Sequence, residues 1–366
     1  MKLYLKLFII LIVILVLYRM CVNLKIYVSN HGEDTYQIEK STRDNQIQRV
    51  FTYTIYNFKK NLEWQQYLIN TVHKLEQLYK TVTNDYGFEY INSSKNLSLE
   101  PSKKVIFTTI NMKTKTIRTS FDHSYCSGHF FLKYGTVISK GSCPTLPTFP
   151  SMFGIAEYYL LKFFIERNDI PLNKVFNIVK TREEMKRLYF TLNVKNVPQK
   201  CHVRTWILYR VLSNVIKCID TVKSLNVMIP VPFKQEKKIS NNIGVLFIKF
   251  DEKTNLLTLQ NQIDACKRQA VATNYYLKLN MNKKIGKDVR NNVDMIFSSG
   301  YIKNPEITNM KSITTYNGVP DYGLYCLTGT MGDTVHITLT VSTNDINFDK
   351  LNTLYSNSEV LSFDNI

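Results

Sequence analysis

The sequence is short of acid. It carries 29 Asp and Glu against 47 Lys and Arg, a formal net charge of +18 over 366 residues. A balance of that sign favours anionic partners such as phosphates, acidic lipid or nucleic acid. The basic residues stand in ones and twos, however. There is no long Lys/Arg tail, no aromatic–basic signature of a nucleic-acid binder and no zinc-finger spacing. A basic solvated surface accounts for the charge, so nucleic acid is not an expected partner.

Paired cysteines are lacking too. The seven are Cys21, Cys126, Cys143, Cys201, Cys218, Cys266 and Cys326, odd in number and without a C-x-x-C. That pattern argues against a disulfide framework and against a metal site. Most read as small buried apolar residues. Histidine is scarce at six residues; His31 and His202 carry no pattern, and His73, at helix spacing, reads as partly exposed or core and not as a ligand. His129 reads as a loop residue. His336, sharing a strand face with Thr334 and Thr338, reads as core or surface. Hydrophobic content of 44% and charged content of 21% are ordinary for a globular chain with one large domain or two medium ones.

Only one long hydrophobic run exists, Leu7 to Tyr18, extended by Leu3, Tyr4 and Leu5 and flanked by Lys2, Lys6 and Arg19. It is short for a spanning helix, which needs about 20 residues. No small-x-small cleavage site follows it. The expectation is an uncleaved N-terminal membrane anchor within residues 1–28, making contact with the membrane through residues 3–18. A polar linker occupies 29–47. Positive charge on both flanks leaves the orientation open.

Beyond the linker the pattern predicts a strand over Val50 to Ile55, a helix over Asn61 to Val82, and strands over Val105 to Ile110 and Thr116 to His123. Prolines 144, 147 and 150 mark a loop, and a buried helix over Met152 to Arg167 follows. Thr181-Arg-Glu-Glu184 is a capping-box pattern that predicts a helix start. Asn196 to Gln199 reads as a crossover. The second half predicts helices over Val203 to Val222, Leu256 to Lys278 and Phe348 to Leu361. Its strands are expected over Leu225 to Phe233, Val245 to Phe250, Val293 to Phe297, Gly323 to Thr328 and Thr334 to Ser342. The order is that of an α/β class with mixed sheets.

One stretch carries chemistry. In Ile117 to Phe130, IRTSFDHSYCSGHF, residues 117, 119, 121 and 123 share one strand face. His123 ends the strand, and Ser124 to Gly128 can turn. A histidine at a strand end before a glycine loop can act as a general base near neutral pH. It can equally be a partly buried residue that closes a strand.

His123-Ser-Tyr-Cys-Ser127-Gly128 resembles the H-x-x-x-D-G motif of the coenzyme-A-dependent acyltransferase superfamily, which includes chloramphenicol acetyltransferases, plant alcohol acyltransferases, wax-ester synthases and condensation domains. His123 matches the catalytic His, Gly128 the motif Gly, and Ser127 stands where the family has Asp. The second half adds element order: helix, LNVMIPVPF, Asn241-Asn242-Ile243-Gly244, helix, late strands. Asp321-Tyr322-Gly323-Leu324 stands where plant members carry D-F-G-W-G, but Asp85-Tyr86-Gly87 repeats the triplet and empties it of weight.

The resemblance implies two chloramphenicol-acetyltransferase-like halves with mixed sheets, at 48–195 and 196–366. It implies transfer of an acyl group from a thioester donor to a hydroxyl or amine, with His123 as base. Ser127 and Gly128 would be structural, no metal or permanent cofactor would be held, and acyl-coenzyme A would be the co-substrate. The Asp-to-Ser departure supports a second expectation: an inactive relative with a structural or protein-binding role at a membrane, in a viral or endomembrane setting.

Overall fold

The computed structural model describes residues 49–82, 84–94, 104, 106–122, 176–220, 224–232, 243–279, 293–302, 310–316 and 320–361. It also describes Tyr4, Phe8, Ile10, Leu11, Val13, Ile14 and Tyr18 of the apolar run.

Two sheets organise these residues. The first begins with β1, Arg49–Tyr56, whose β-branched and aromatic residues suit a sheet covered on both faces. Helix α1, Asn61–Val82, follows, then β2, Tyr86–Ile91, β3, Ile106–Asn111, and β4, Thr116–Asp122. β3 and β4 form an antiparallel hairpin in which Thr108 faces Thr119 and Ile110 faces Ile117. Its turn is held by the Asn111 side-chain oxygen, which accepts from the N–H groups of Lys113 at 3.0 Å and Thr114 at 3.2 Å. Lys115 takes a left-handed φ of 54°. α1 lays Trp64 and Leu68 on Tyr56, Ile110 and Ile117. Of Leu68, Val72, Leu75, Tyr79 and Val82, which recur at helix spacing in the sequence, Leu68, Leu75 and Tyr79 are buried and Val72 is half-buried, and His73 is exposed against Gln77.

The second sheet runs β12-β5-β11-β10-β8-β6-β7. Its strands are β5, Lys186–Asn193, β6, Ser224–Pro232, β7, Ile243–Asp251, β8, Met295–Ile302, β10, Leu324–Met331, β11, Thr334–Val341, and β12, Glu359–Leu361. The helices are α2, Val203–Val215, α3, Leu256–Leu279, and α4, Phe348–Thr353. One sheet face packs Leu188, Phe190, Cys326, Ile337 and Leu339 on Ile207, Leu208, Val211 and Leu212 of α2, forming the main core. α3 lies so close to β7 that a Cβ on Gly244 would sit 1.8 Å from the Ala270 carbonyl oxygen. β6 pairs with β8 only at Val227 and Met228. The segment carrying Pro230 and Pro232 pairs with the edge strand β7 alone, as expected for residues without an N–H.

The sheets exchange a strand. β9, Met310–Tyr316, follows β8 in the chain yet pairs antiparallel with β1 in the first sheet, Tyr53 opposite Ile313. β5, before α2, pairs with β11 and β12 in the second sheet.

Several expectations are corrected. Thr181 does bond Glu184: its N–H and hydroxyl donate to Oε1 at 3.1 and 2.9 Å. The box closes a turn and not a helix, because the alternating KRLYFTLN that follows enters the sheet as β5. The helix at Val203 stops at Val215 and passes through a 3-10 turn, since Ile219 bridges to Ile346. The last helix stops at Thr353. Ser358 turns the chain by donating to the Asn352 and Tyr355 carbonyls, and β12 follows. β2, β5, β9 and β12 were not expected as strands. The helix expected over Met152 to Arg167 lies outside the described residues.

Among the described residues no helix is long and apolar enough to cross a membrane. Most of the anchor expected at 1–28 is not among them.

Candidate functional site

The place to look is where the sheets meet. β4 separates two environments. Its Ile117 and Thr119 face α1, where Tyr79, Thr108 and Thr119 form a buried chain of hydroxyls, Tyr79 to Thr108 at 2.8 Å and Thr108 to Thr119 at 3.0 Å. Its even residues, Arg118 and Ser120, share the other face with Tyr53 and Ile313 of neighbouring strands. That face meets the second sheet: Tyr53 and Ile313 pack with Tyr189 of β5 and Leu361 of β12. On the α1 side, Met331 of β10 joins the cluster around Trp64.

The second sheet turns a polar face to this seam. Tyr189 lies opposite Thr338, Arg187 opposite Thr340, and His336 opposite Thr191, all on the face away from α2. Across β10 and β8 the row of His336 continues as Gly329 and Gly300, both buried and without side chains. Tyr189 Oη and His336 Nδ1 are hydrogen-bonded at 2.7 Å. Lys311 of β9 lies 4.6 Å above the Tyr189 ring and is ion-paired to Glu359 of β12. Arg187 Nε–H donates to Thr315 Oγ1 of β9 at 3.1 Å.

Burial sets the charge states. It lowers His336 to about 4, with the Lys311 charge adding to the effect, so the imidazole is neutral near neutral pH. Burial raises the Tyr189 hydroxyl above its usual range. It lowers the guanidiniums of Arg118 and Arg187 to about 10, and both remain cations. The seam therefore offers a neutral phenol–imidazole pair, one buried and one half-buried guanidinium, and an ion pair.

The expected site residues His123, Ser127 and Gly128 lie outside the described residues, as does Cys126. β4 is described as far as Asp122, one residue before His123. Of the remaining histidines, His202 precedes α2 without a side-chain capping bond, and His336 is buried at 7% exposure. Cys218 and Cys326 are buried, and Cys201 and Cys266 half-buried. No group of three or more His, Cys, Asp or Glu that could hold a metal ion exists among the described residues. Asp321-Tyr322-Gly323 is structural here. Tyr325 Oη accepts from the N–H groups of Asp321 at 2.8 Å and Tyr322 at 3.2 Å. A Cβ on Gly323 would meet the Phe176 ring at 2.3 Å.

Sequence reading passed over Tyr189, Arg187, Lys311 and Arg118. The shared face of Thr334, His336 and Thr338 was visible. That this polar face looks at a second sheet was not.

No protein-family model and no curated protein sequence matches the chain. Solved structures do. A double mutant of the starter condensation domain of rhizomide synthetase RzmA, in complex with C8-CoA and Leu-SNAC, is 8% identical. The likeness covers 87% of this chain and 89% of that one, at a TM-score of 0.55. The same domain with C8-CoA alone gives 0.53 at 8% identity, over 84% of this chain and 87% of that chain. The nonribosomal peptide synthetase FmoA3 gives 0.52 at 8% identity, over 86% of this chain and 40% of that one. Two sheets joined by an exchanged strand, with a likeness over 87% of this chain, give it the fold of these condensation domains.

Proposed function

We propose that the protein is an acyltransferase that takes an acyl group from a thioester, acyl-coenzyme A in the first instance, and delivers it to a hydroxyl or amine. The observation that carries this reading is the likeness over 87% of the chain to a condensation domain crystallised with C8-CoA. The motif supports it, because β4 leads directly into His123-Ser-Tyr-Cys-Ser127-Gly128. In this reading the His123 imidazole takes the acceptor's proton. The freed oxygen or nitrogen attacks the thioester carbonyl, the tetrahedral oxyanion collapses and the thiolate leaves. The imidazole must come within about 3 Å of the acceptor.

The strand imposes one requirement. Position 123 has the parity of Ile117 and Thr119, which are packed toward α1. A cleft-facing His123 therefore needs the backbone to change face after Asp122, and the turn-forming residues up to Gly128 suit that step. Ser127, where the superfamily has Asp, favours a second reading, an inactive acyltransferase-like protein that binds a protein partner.

Both readings place the chain at a membrane through residues 3–18. The support is the apolar run together with its described residues, which are helical and exposed, from Tyr4 at 77% to Tyr18 at 69%. The halves 48–195 and 196–366 remain our proposed division of the sequence.

The test offers the full chain in detergent a panel of acyl-coenzyme A donors and acceptors and follows free thiol. Release lost in His123→Ala at an unchanged melting temperature supports the base. No release and no donor binding by the wild type overturns the enzyme reading in favour of the second.

A further inference from the structure

The Tyr189–His336 pair does nothing in the chemistry above, yet it sits where four elements meet. His336 stands on β11 and Tyr189 on β5, bonded at 2.7 Å. Lys311 covers the Tyr189 ring from β9 at 4.6 Å, and Glu359 of β12 holds Lys311 in turn. The chain of contacts thus ties the exchanged strand to the edge of the second sheet. One residue pair away, Arg187 adds a bond to Thr315 of the same strand. β9 is the element through which the second half completes the first sheet.

We propose that Tyr189, His336, Lys311 and Glu359 form a proton-sensitive clamp that holds β9 against the second sheet and releases it in acid. A proton on the buried His336 places a second cation beside the half-exposed Lys311, and the two like charges repel. Phenol and imidazolium can still bond if the phenol accepts, but Lys311 must then leave the ring or the imidazolium must reach water. Either movement undoes the hold on β9. The charged groups facing the pair are Lys311 of β9 and Glu359 of β12, with Arg187 further along β5. Glu359 is already engaged by Lys311, so it does not neutralise the new charge.

The size of the response follows from linkage. Opening returns His336 from about 4 to its ordinary 6.5. Protons then favour the open form roughly twentyfold more at about pH 5 than at about pH 7. This inference does not depend on the acyltransferase reading, and its test does not measure turnover.

The experiment is amide hydrogen exchange on the full chain at the two pH values, corrected for intrinsic rates. It compares β9 amides with those of α2. The expected result is that β9 exchanges ahead of α2 at pH 5 and that its protection falls about twentyfold from pH 7. His336→Gln, which keeps a bond to Tyr189 without titrating, should abolish that fall. Lys311→Met, at a half-exposed position and safe to folding, should narrow it. β9 exchanging no faster than α2 at pH 5, or a fall that survives in both variants, overturns the clamp.

Discussion

At the scale of single residues, buried groups fix how the protein responds to pH and to substitution. His336 is held neutral by burial, at about 4. The unfolded chain takes up a proton at about 6.5 and the folded one does not. Stability linked to this group is therefore full above about 6.5 and falls as pH drops toward 4, by about 3 kcal/mol at the lower end. Melting temperatures measured across that window should decline more steeply in the wild type than in His336→Gln. Equal slopes would mean that other groups carry the acid sensitivity. Gly244 answers a different question. A Cβ there would meet the Ala270 carbonyl oxygen at 1.8 Å, and that atom is backbone and cannot swing aside. Gly244→Ala must push α3 off β7, at a cost of about 2–3 kcal/mol. Urea unfolding would read it as a lower midpoint with an unchanged slope.

Elements differ in how legibly they are written. α1 was readable to its last residue because Leu68, Leu75 and Tyr79 recur at helical spacing over one apolar floor. The β3–β4 hairpin was readable because alternation and a polar Asn111–Lys115 turn agree. β5 was not, because a local capping box at Thr181 sent the same signal as a helix start, and only pairing with β11 decides against it. β9 was not, because Lys311 to Tyr316 has no strong apolar face, and its burial comes from β1 on one side and from Tyr189 and Leu361 on the other. Two seam pairs shared that fate: Arg187 with Thr315 and Tyr189 with His336 are each more than a hundred positions apart. The motif at His123 was legible as a pattern, and its end of β4 as a strand. α1 supplies the matching prediction. Trp64, at 1% exposure, fills the space between Tyr56, Phe58 and Tyr67. Trp64→Ala should cost about 3–5 kcal/mol, read as a lower melting temperature, and the folded variant's near-UV circular dichroism should be weaker than the wild type's at an unchanged far-UV signal.

At the scale of the whole molecule, the strand exchange decides what can fold alone. Residues 48–195 contain β1 to β4 but lack β9, so β1 would keep one unpaired edge and Tyr53 would lose Ile313. The same fragment would carry β5 without β11, leaving Leu188 and Phe190 with no core to enter. Residues 196–366 would have the opposite defect: β9 without β1, and β11 open on the side where β5 belongs. Each fragment thus exposes a strand edge and buried apolar surface, the combination that leads to aggregation rather than folding. The full chain, in which β9 pairs with β1 and β5 with β11, should unfold as one unit. The prediction is one thermal transition for the whole protein, coincident by far-UV and near-UV circular dichroism, and no cooperative transition for either fragment alone. Mixing the two fragments should restore the transition, because β5 and β9 then find their partners across the pair. A fragment that melts cooperatively by itself would mean that its sheet is stable without the exchanged strand, and that the two halves are joined more loosely than the register of β1 with β9 implies.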